Sequence, residues 1–193
     1  MKFFYKNLVL DVPESVYYPR EDSLLLAKII EKEGLKNKKT LDMGSGSGFL
    51  AILMAQQGAD ATASDINEDA VKAVKMNIKN NNIKLKVISS DLFKNIEEKF
   101  DIIVFNPPYL PEKTLHRNKQ FYGGRTGREV IDKFIKNSSN HLKKEGRIFI
   151  VFSSITGEKE VIEIFHSYGF TSKTVARQKV PWEELIVMEA KKL

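Results

Sequence analysis

Leu41-Asp42-Met43-Gly44-Ser45-Gly46-Ser47-Gly48-Phe49 reads as the end of a buried strand, a glycine-rich turn and the first residue of a helix. Glycines in such a turn let the backbone approach a ligand closely, and the N–H groups at a helix start favour an anionic group. A phosphate-binding loop needs Gly-x-x-x-x-Gly-Lys-Ser/Thr, and no Lys stands here. A dinucleotide fingerprint needs Gly-x-Gly-x-x-Gly, and Phe49 takes the place of the third glycine. What remains is Asp-x-Gly-x-Gly-x-Gly, with an acid inside the strand end.

Outward from this turn, short apolar runs alternate with stretches of helical period, the pattern of βαβ units on a mainly parallel sheet. Residues 3–10 and the region around Val16 read as a short hairpin-like lead-in, and Glu21 to Glu33 as a helix ended near Gly34. Strands are expected at Thr40–Met43, Ala61–Asp65, Lys84–Ser89, Asp101–Phe105 and Arg147–Phe152. Helices are expected at Phe49–Gln57, after Asn67, at about Arg128–Leu142 and at Gly157–Tyr168. Two closing strands, Ser172–Gln178 and Glu184–Glu189, join tightly around Pro181-Trp182 as an antiparallel hairpin. The expected fold class is therefore α/β, with a mixed seven-stranded sheet.

The 193 residues suffice for one α/β domain with a substantial core. No apolar run is long enough for a bilayer, and the amino terminus does not read as a signal peptide, so a cytoplasmic enzyme is expected. Cysteine is absent, and His116, His141 and His166 lack ligand spacing, so no metal site is expected. The net charge of +6 is compatible with a nucleic-acid, ribosomal or acidic partner, and equally with simple solubility.

Two further acids follow the same logic as Asp42. Asp65 ends the second core strand, where a carboxylate can contact ribose hydroxyls. Asp91 follows the third strand and can accept a bond from an adenine amino group, with Leu92 and Phe93 walling the base. Each acid alone reads as a cap or turn residue. Three of them at successive strand ends, beside the glycine turn, suit a ligand carrying an ammonium and a sulfonium, and point to S-adenosylmethionine.

Asn106-Pro107-Pro108-Tyr109 follows the apolar run Ile102–Phe105, at the carboxyl end of a buried strand. Two prolines stop the strand and remove two backbone donors, and the Asn offers a planar amide or amine one acceptor and two donors. A plain strand-terminating turn is the competing reading of these four residues.

In this order, Asp42 to Gly48, Asp65, Asp91 and Asn106 to Tyr109 resemble class I methyltransferases that modify planar nitrogens. More closely, the chain resembles the HemK family of release-factor glutamine N5-methyltransferases. Val16-Tyr17-Tyr18-Pro19-Arg20-Glu21-Asp22-Ser23 and Gly123-Gly124-Arg125-Thr126-Gly127-Arg128-Glu129-Val130 resemble segments of its short archaeal and eukaryotic branch. The resemblance implies a class I Rossmann-like fold with helices on both faces and strand order 3-2-1-4-5-7-6, counted from Thr40–Met43. It implies a single methyltransferase domain over 1–193, with an N-terminal hairpin and helix over 1–36 and a catalytic core over 37–193.

It further implies that Tyr17, Pro19, Glu21, Asp42, Gly44, Gly46, Gly48, Asp65, Ile66, Asp91, Leu92 and Asn106 hold the cofactor, and that Asn106, Pro107 and Tyr109 carry the chemistry. Glu21 also reads as a first-turn helix acid, and Arg125 and Arg128 as solvated loop charges. The implied substrate is the Gln of the Gly-Gly-Gln motif of a class I release factor. The implied partner is a small zinc-binding activator pairing along the edge strand Leu85–Ile88, which reads equally as an edge protected by Lys84 and Lys86. Direct nucleic-acid binding is not required. The alternative is a nucleic-acid methyltransferase acting on an exocyclic amine, since those enzymes use the same corner. A cofactor-binding scaffold would have no need of the corner, and Phe49 and Asp91 speak against a nicotinamide oxidoreductase.

Overall fold

The computed structural model describes residues 1–112 and 123–193. Lys2–Tyr5 (β1) and Leu8–Asp11 (β2) form an antiparallel hairpin, followed by helix α1 at Glu21–Ile30. The alternation then continues through β3 (Lys39–Met43), α2 (Phe49–Gln56), β4 (Asp60–Asp65), α3 (Glu68–Asn80), β5 (Lys86–Ser89) and β6 (Phe100–Phe105). After α4 (Glu129–Ser138) come β7 (Leu142–Ser153), α5 (Glu158–Ser167), β8 (Phe170–Val180) and β9 (Glu183–Lys192).

Seven strands make one sheet in the order β5-β4-β3-β6-β7-β9-β8, which is the expected 3-2-1-4-5-7-6. The first five run parallel, and β9 is antiparallel to both β7 and β8. In β6 the successive residues Ile102, Ile103, Val104 and Phe105 are all at most 3% exposed. Neighbours on a strand point to opposite faces, so both faces of the sheet centre are covered. The chain leaves β3 towards β4 and leaves β6 towards β7, in opposite directions along the sheet. The carboxyl ends of β3 and β6 therefore flank the switch point where open α/β sheets bind ligands.

Several boundaries differ from the sequence expectation. Helix α1 stops at Ile30, and its last turn tightens, with Lys32 N–H bonding to the Ile29 carbonyl and Glu33 N–H to that of Ile30. Helix α4 stops at Ser138, and β7 starts at Leu142 rather than Arg147, because Glu145 adopts a left-handed φ of 62° beside Gly146 and shifts the register against β6. Strands β8 and β9 run to 11 and 10 residues, longer than their apolar runs, because β8 is an edge whose polar face stays in water. Among the described residues no helix is long and apolar enough to cross a membrane.

The amino-terminal hairpin is a separate two-stranded sheet, tied to α3 by Asn81, which bonds the Val9 N–H and carbonyl, and more deeply by Asn77. Asn77, fully buried on α3, accepts from Asp11 N–H at 2.8 Å. Its amide donates to the Asp11 carbonyl at 3.0 Å and to the Ser47 carbonyl at 2.9 Å. One amide thus ties hairpin, helix and glycine turn. Removing it strands one buried and two half-buried backbone groups, so Asn77→Ala should lower stability by about 2–4 kcal/mol in urea unfolding with an unchanged m-value.

Candidate functional site

A cavity of about 410 Å³ opens at the carboxyl ends of β3, β4 and β6, lined from the glycine turn, the Tyr17–Ser23 segment, the Asp91 turn and the Asn106 corner. Among the described residues its walls carry the acids Asp22, Asp42, Asp65 and Asp91 against one cationic side chain, Lys133. That balance fits a ligand with cationic groups and opposes a pyrophosphate.

The glycine turn is held by its neighbours on both sides. Gly46 has a φ of 53°, a left-handed conformation that costs a side-chain-bearing residue, and its N–H donates to Asp65 Oδ2 at 2.8 Å. Asp65 Oδ1 accepts from Asn67 N–H at 2.9 Å, and burial raises the Asp65 pKa against these bonds. The Asp65 carboxylate keeps acceptor capacity for a ligand hydroxyl. Asp42 is only 2% exposed, and its Oδ2 accepts from Ala51 N–H at 2.9 Å. Burial pushes its carboxyl up to about 8; the Ala51 bond opposes that rise and the nearby Asp65 charge adds to it.

Gly44 and Gly46 line the cavity and Gly48 does not. Gly48 caps α2 with a φ of 83°, and a Cβ there would stand 3.1 Å from both methyl groups of Val74. Its glycine is required by helix packing. Ile66 and Leu92 both line the cavity. Exposed Asp91 does too, in a turn that Ser90 pins by donating to the Leu92 carbonyl at 2.7 Å and accepting from Asn95 N–H at 2.9 Å.

The Asn106 corner is braced from two directions. Asn106 Nδ2 donates to Ser23 Oγ at 3.1 Å, and its Oδ1 accepts no hydrogen bond among the described residues. The Tyr109 carbonyl accepts from Thr156 Oγ1 at 2.8 Å, while the Arg128 guanidinium holds the Thr156 carbonyl. The Gly123–Gly127 segment packs directly on the corner's backbone: a Cβ on Gly123 would lie 2.4 Å from the Pro108 carbonyl oxygen, and one on Gly127 2.2 Å from that of Tyr109. No side chain fits between the two segments.

On the opposite side, buried Asp22 accepts from Tyr17 Oη at 2.7 and 2.8 Å, from Tyr109 Oη at 3.1 Å and from Ser23 N–H at 2.6 Å. Burial, together with the Asp22 charge, raises both tyrosine pKa values and keeps the two hydroxyls protonated as donors. Tyr17, Pro19, Pro107 and the buried Tyr109 all line the cavity, as the sequence led one to expect. Glu21 does not; it is exposed, and the 100° helical turn to the next residue brings Asp22 inward instead. Sequence reasoning passed over Asp22, Ser23 and Lys133. The first two stood inside the quoted Tyr-x-Pro-x-Glu-Asp-Ser segment, whereas nothing in the local pattern singled out Lys133.

Comparison with known proteins agrees with this geometry. Residues 21–179 match the family described as the methyltransferase small domain. A Methanocaldococcus jannaschii protein, provisionally named a protein N5-glutamine methyltransferase, is 44% identical over 97% of this chain and 98% of its own length. The release factor glutamine methyltransferase of Streptococcus pneumoniae is 31% identical over 82% of this chain and 61% of the relative. Among solved structures, the E. cuniculi Mtq2-Trm112 complex, described as responsible for methylation of the eRF1 translation termination factor, superposes with a TM-score of 0.76. It is 26% identical and spans 92% of this chain and 99% of that one.

The raised Asp42 carboxyl generates a pH test. In the empty protein it stays neutral from its usual 3.8 up to about 8, while the unfolded chain ionises, so its contribution to stability falls as pH rises through that window. A ligand ammonium favours the carboxylate and drives proton release. Affinity for S-adenosylhomocysteine should therefore rise with pH, by at most about tenfold per pH unit, and level off above the Asp42 pKa. Calorimetry in buffers of different ionisation enthalpy should detect the released proton, and Asp42→Asn should flatten the profile.

Proposed function

The chain belongs to the protein-glutamine N5-methyltransferases of the methyltransferase small-domain family, and from that premise we propose that it methylates the Gln of a Gly-Gly-Gln motif in a class I peptide-chain release factor. The single observation that carries this reading is the Asn106 amide, which lines the cavity, tethered through its nitrogen to Ser23 and with its oxygen accepting no hydrogen bond among the described residues. An acceptor so fixed suits a planar NH₂ donor.

The methyl donor is S-adenosylmethionine, which when bound supplies an electrophilic methyl group on a sulfonium centre. Asp42, Asp65 and Asp91 would hold its ammonium, ribose and adenine, with Gly44, Gly46, Tyr17, Pro19, Ile66 and Leu92 around them. The substrate amide nitrogen is a poor nucleophile, because its lone pair is shared with the carbonyl. Asn106 Oδ1 and the Pro107 carbonyl each accept one of its N–H bonds, fix its direction and favour the localised lone pair. Positioning of this kind removes roughly 7–11 kcal/mol of barrier in well-oriented systems. Tyr109, tied to Asp22 and Thr156, walls the planar amide.

The remaining assignments are proposals of the same standing. Residues 1–193 act as one methyltransferase domain, with the hairpin and helix of 1–36 closing the cavity over the 37–193 core. The protein works in the cytoplasm. A small zinc-binding activator pairs along Leu85–Ile88, the sheet edge formed by β5, where Leu85, Val87 and Ile88 are half-buried.

The test is methylation of recombinant release factor, with and without the activator, located by mass spectrometry. Modification of the Gly-Gly-Gln glutamine is expected; labelling of RNA and not of protein would overturn the substrate. Asn106→Ala should bind S-adenosylhomocysteine as the parent does and lose methyl transfer by about 100-fold or more. Full activity in that variant would remove the amide clamp from the mechanism.

A further inference from the structure

The β8–β9 hairpin tip breaks a local rule without a packing reason. Val180 pairs with Glu183, leaving Pro181 and Trp182 as a two-residue connection. Proline presets the first turn position, and the second takes φ of 75°, where glycine is the usual residue. Trp182 occupies it instead, a conformation that costs a side-chain-bearing residue on the order of 1–3 kcal/mol. Nothing repays that cost inside the fold, because Trp182 is 98% exposed.

The tip is tied to the Asn106 corner by one short turn. In Ser154–Thr156, Ser154 Oγ accepts from Glu184 N–H at 3.0 Å, and Thr156 Oγ1 donates to the Tyr109 carbonyl at 2.8 Å. Between them Ile155 is 44% exposed. Next to Trp182, Glu183 Oε2 is shielded from water and has no hydrogen-bond partner among the described residues. Its charge is among those that raise the Tyr109 hydroxyl pKa. A buried acceptor without a donor is costly, and a turn of this half-buried side chain would let a donor from outside the chain satisfy it.

We propose that Trp182, Ile155 and Glu183 form the docking surface for the polypeptide segment that carries the substrate glutamine. The inference rests on the protein-substrate reading above. The indole and Ile155 cover an apolar or glycine-rich stretch of backbone, and Glu183 accepts a main-chain N–H of the same segment. Glu184 is paired with Arg177 at 2.9 Å, but Glu183 has no ion pair among the described residues, and its carboxylate repels a nucleic-acid backbone, which favours a polypeptide as occupant.

The experiment is steady-state methylation of full-length release factor by the enzyme with its activator, comparing wild type with Trp182→Ala, Trp182→Phe and Glu183→Ala. Truncating a docking aromatic should raise KM for the release factor by about tenfold or more. With Trp182→Ala, kcat and S-adenosylhomocysteine affinity should stay near wild type, and Trp182→Phe should restore most of the KM. Glu183→Ala should raise KM in the same direction. An unchanged KM in Trp182→Ala overturns the proposal, as does a fall in kcat at constant KM, which would make the tip a brace for the corner. Wild-type enzyme that leaves the release factor unmodified overturns the substrate reading itself, a result separable from any variant's behaviour.

Discussion

The parallel pairing of β3 with β6 sets the level at which the chemistry takes place. Asp42 lies opposite Val104, and Met43 opposite Phe105. The next residues are Gly44 on one strand and Asn106 on the other, so the glycine turn and the amide corner leave the sheet side by side. Strand side chains alternate with a period of two, and a slip of one residue would turn the buried faces of Val104 and Phe105 inside out. Burial of nearly every residue in both strands forbids that slip. Register here is a catalytic constraint, fixed by hydrophobic packing far larger than any single polar contact in the site.

Around that register, polar groups do finer work. The corner cannot brace itself, because two prolines lack N–H groups and the strand has ended. Backbone from Gly123 and Gly127 approaches it on one side, and the Asp22-Ser23 pair at the start of α1 holds it on the other. Asp22 also holds Tyr17, so one buried carboxylate links a wall of the cofactor cavity to the tyrosine beside the substrate position. Shared partners of this kind couple energetically, and changes at Tyr17 and Tyr109 should not add independently.

Much of this was legible in the sequence, for reasons that can be stated residue by residue. Acids at strand ends and glycines at a strand–helix turn are local patterns, and they placed Asp42, Asp65, Asp91, Gly44 and Gly46 in the cavity. Gly48 lies outside the cavity lining and packs closely on Val74, and a glycine needed for such packing looks the same in sequence as one needed for a ligand. Glu21 was preferred to Asp22 because helix phase at a first turn depends on where the helix starts and on what it packs against. The early start of β7 hid in Leu142-Lys143-Lys144-Glu145-Gly146, a polar stretch whose pairing with β6 is non-local. Lys133 reaches the cavity from α4, nearly thirty residues after the corner it faces, and only the tertiary fold brings the two together.

The sheet order separates two proposed surfaces. Strand β5 lies at one end of the seven-stranded sheet, and the β8–β9 pair at the other, with β3 and β6 between them. A partner adding a strand to β5 would be separated by that one strand from β4, which carries Asp65, and would lie near the Asp91 turn, on the cofactor side of the cavity. A substrate meeting Trp182 and Glu183 would approach from the Tyr109 side. The two can therefore bind together without competing for surface, and a partner on β5 can affect turnover through the cofactor walls while leaving the amide corner untouched.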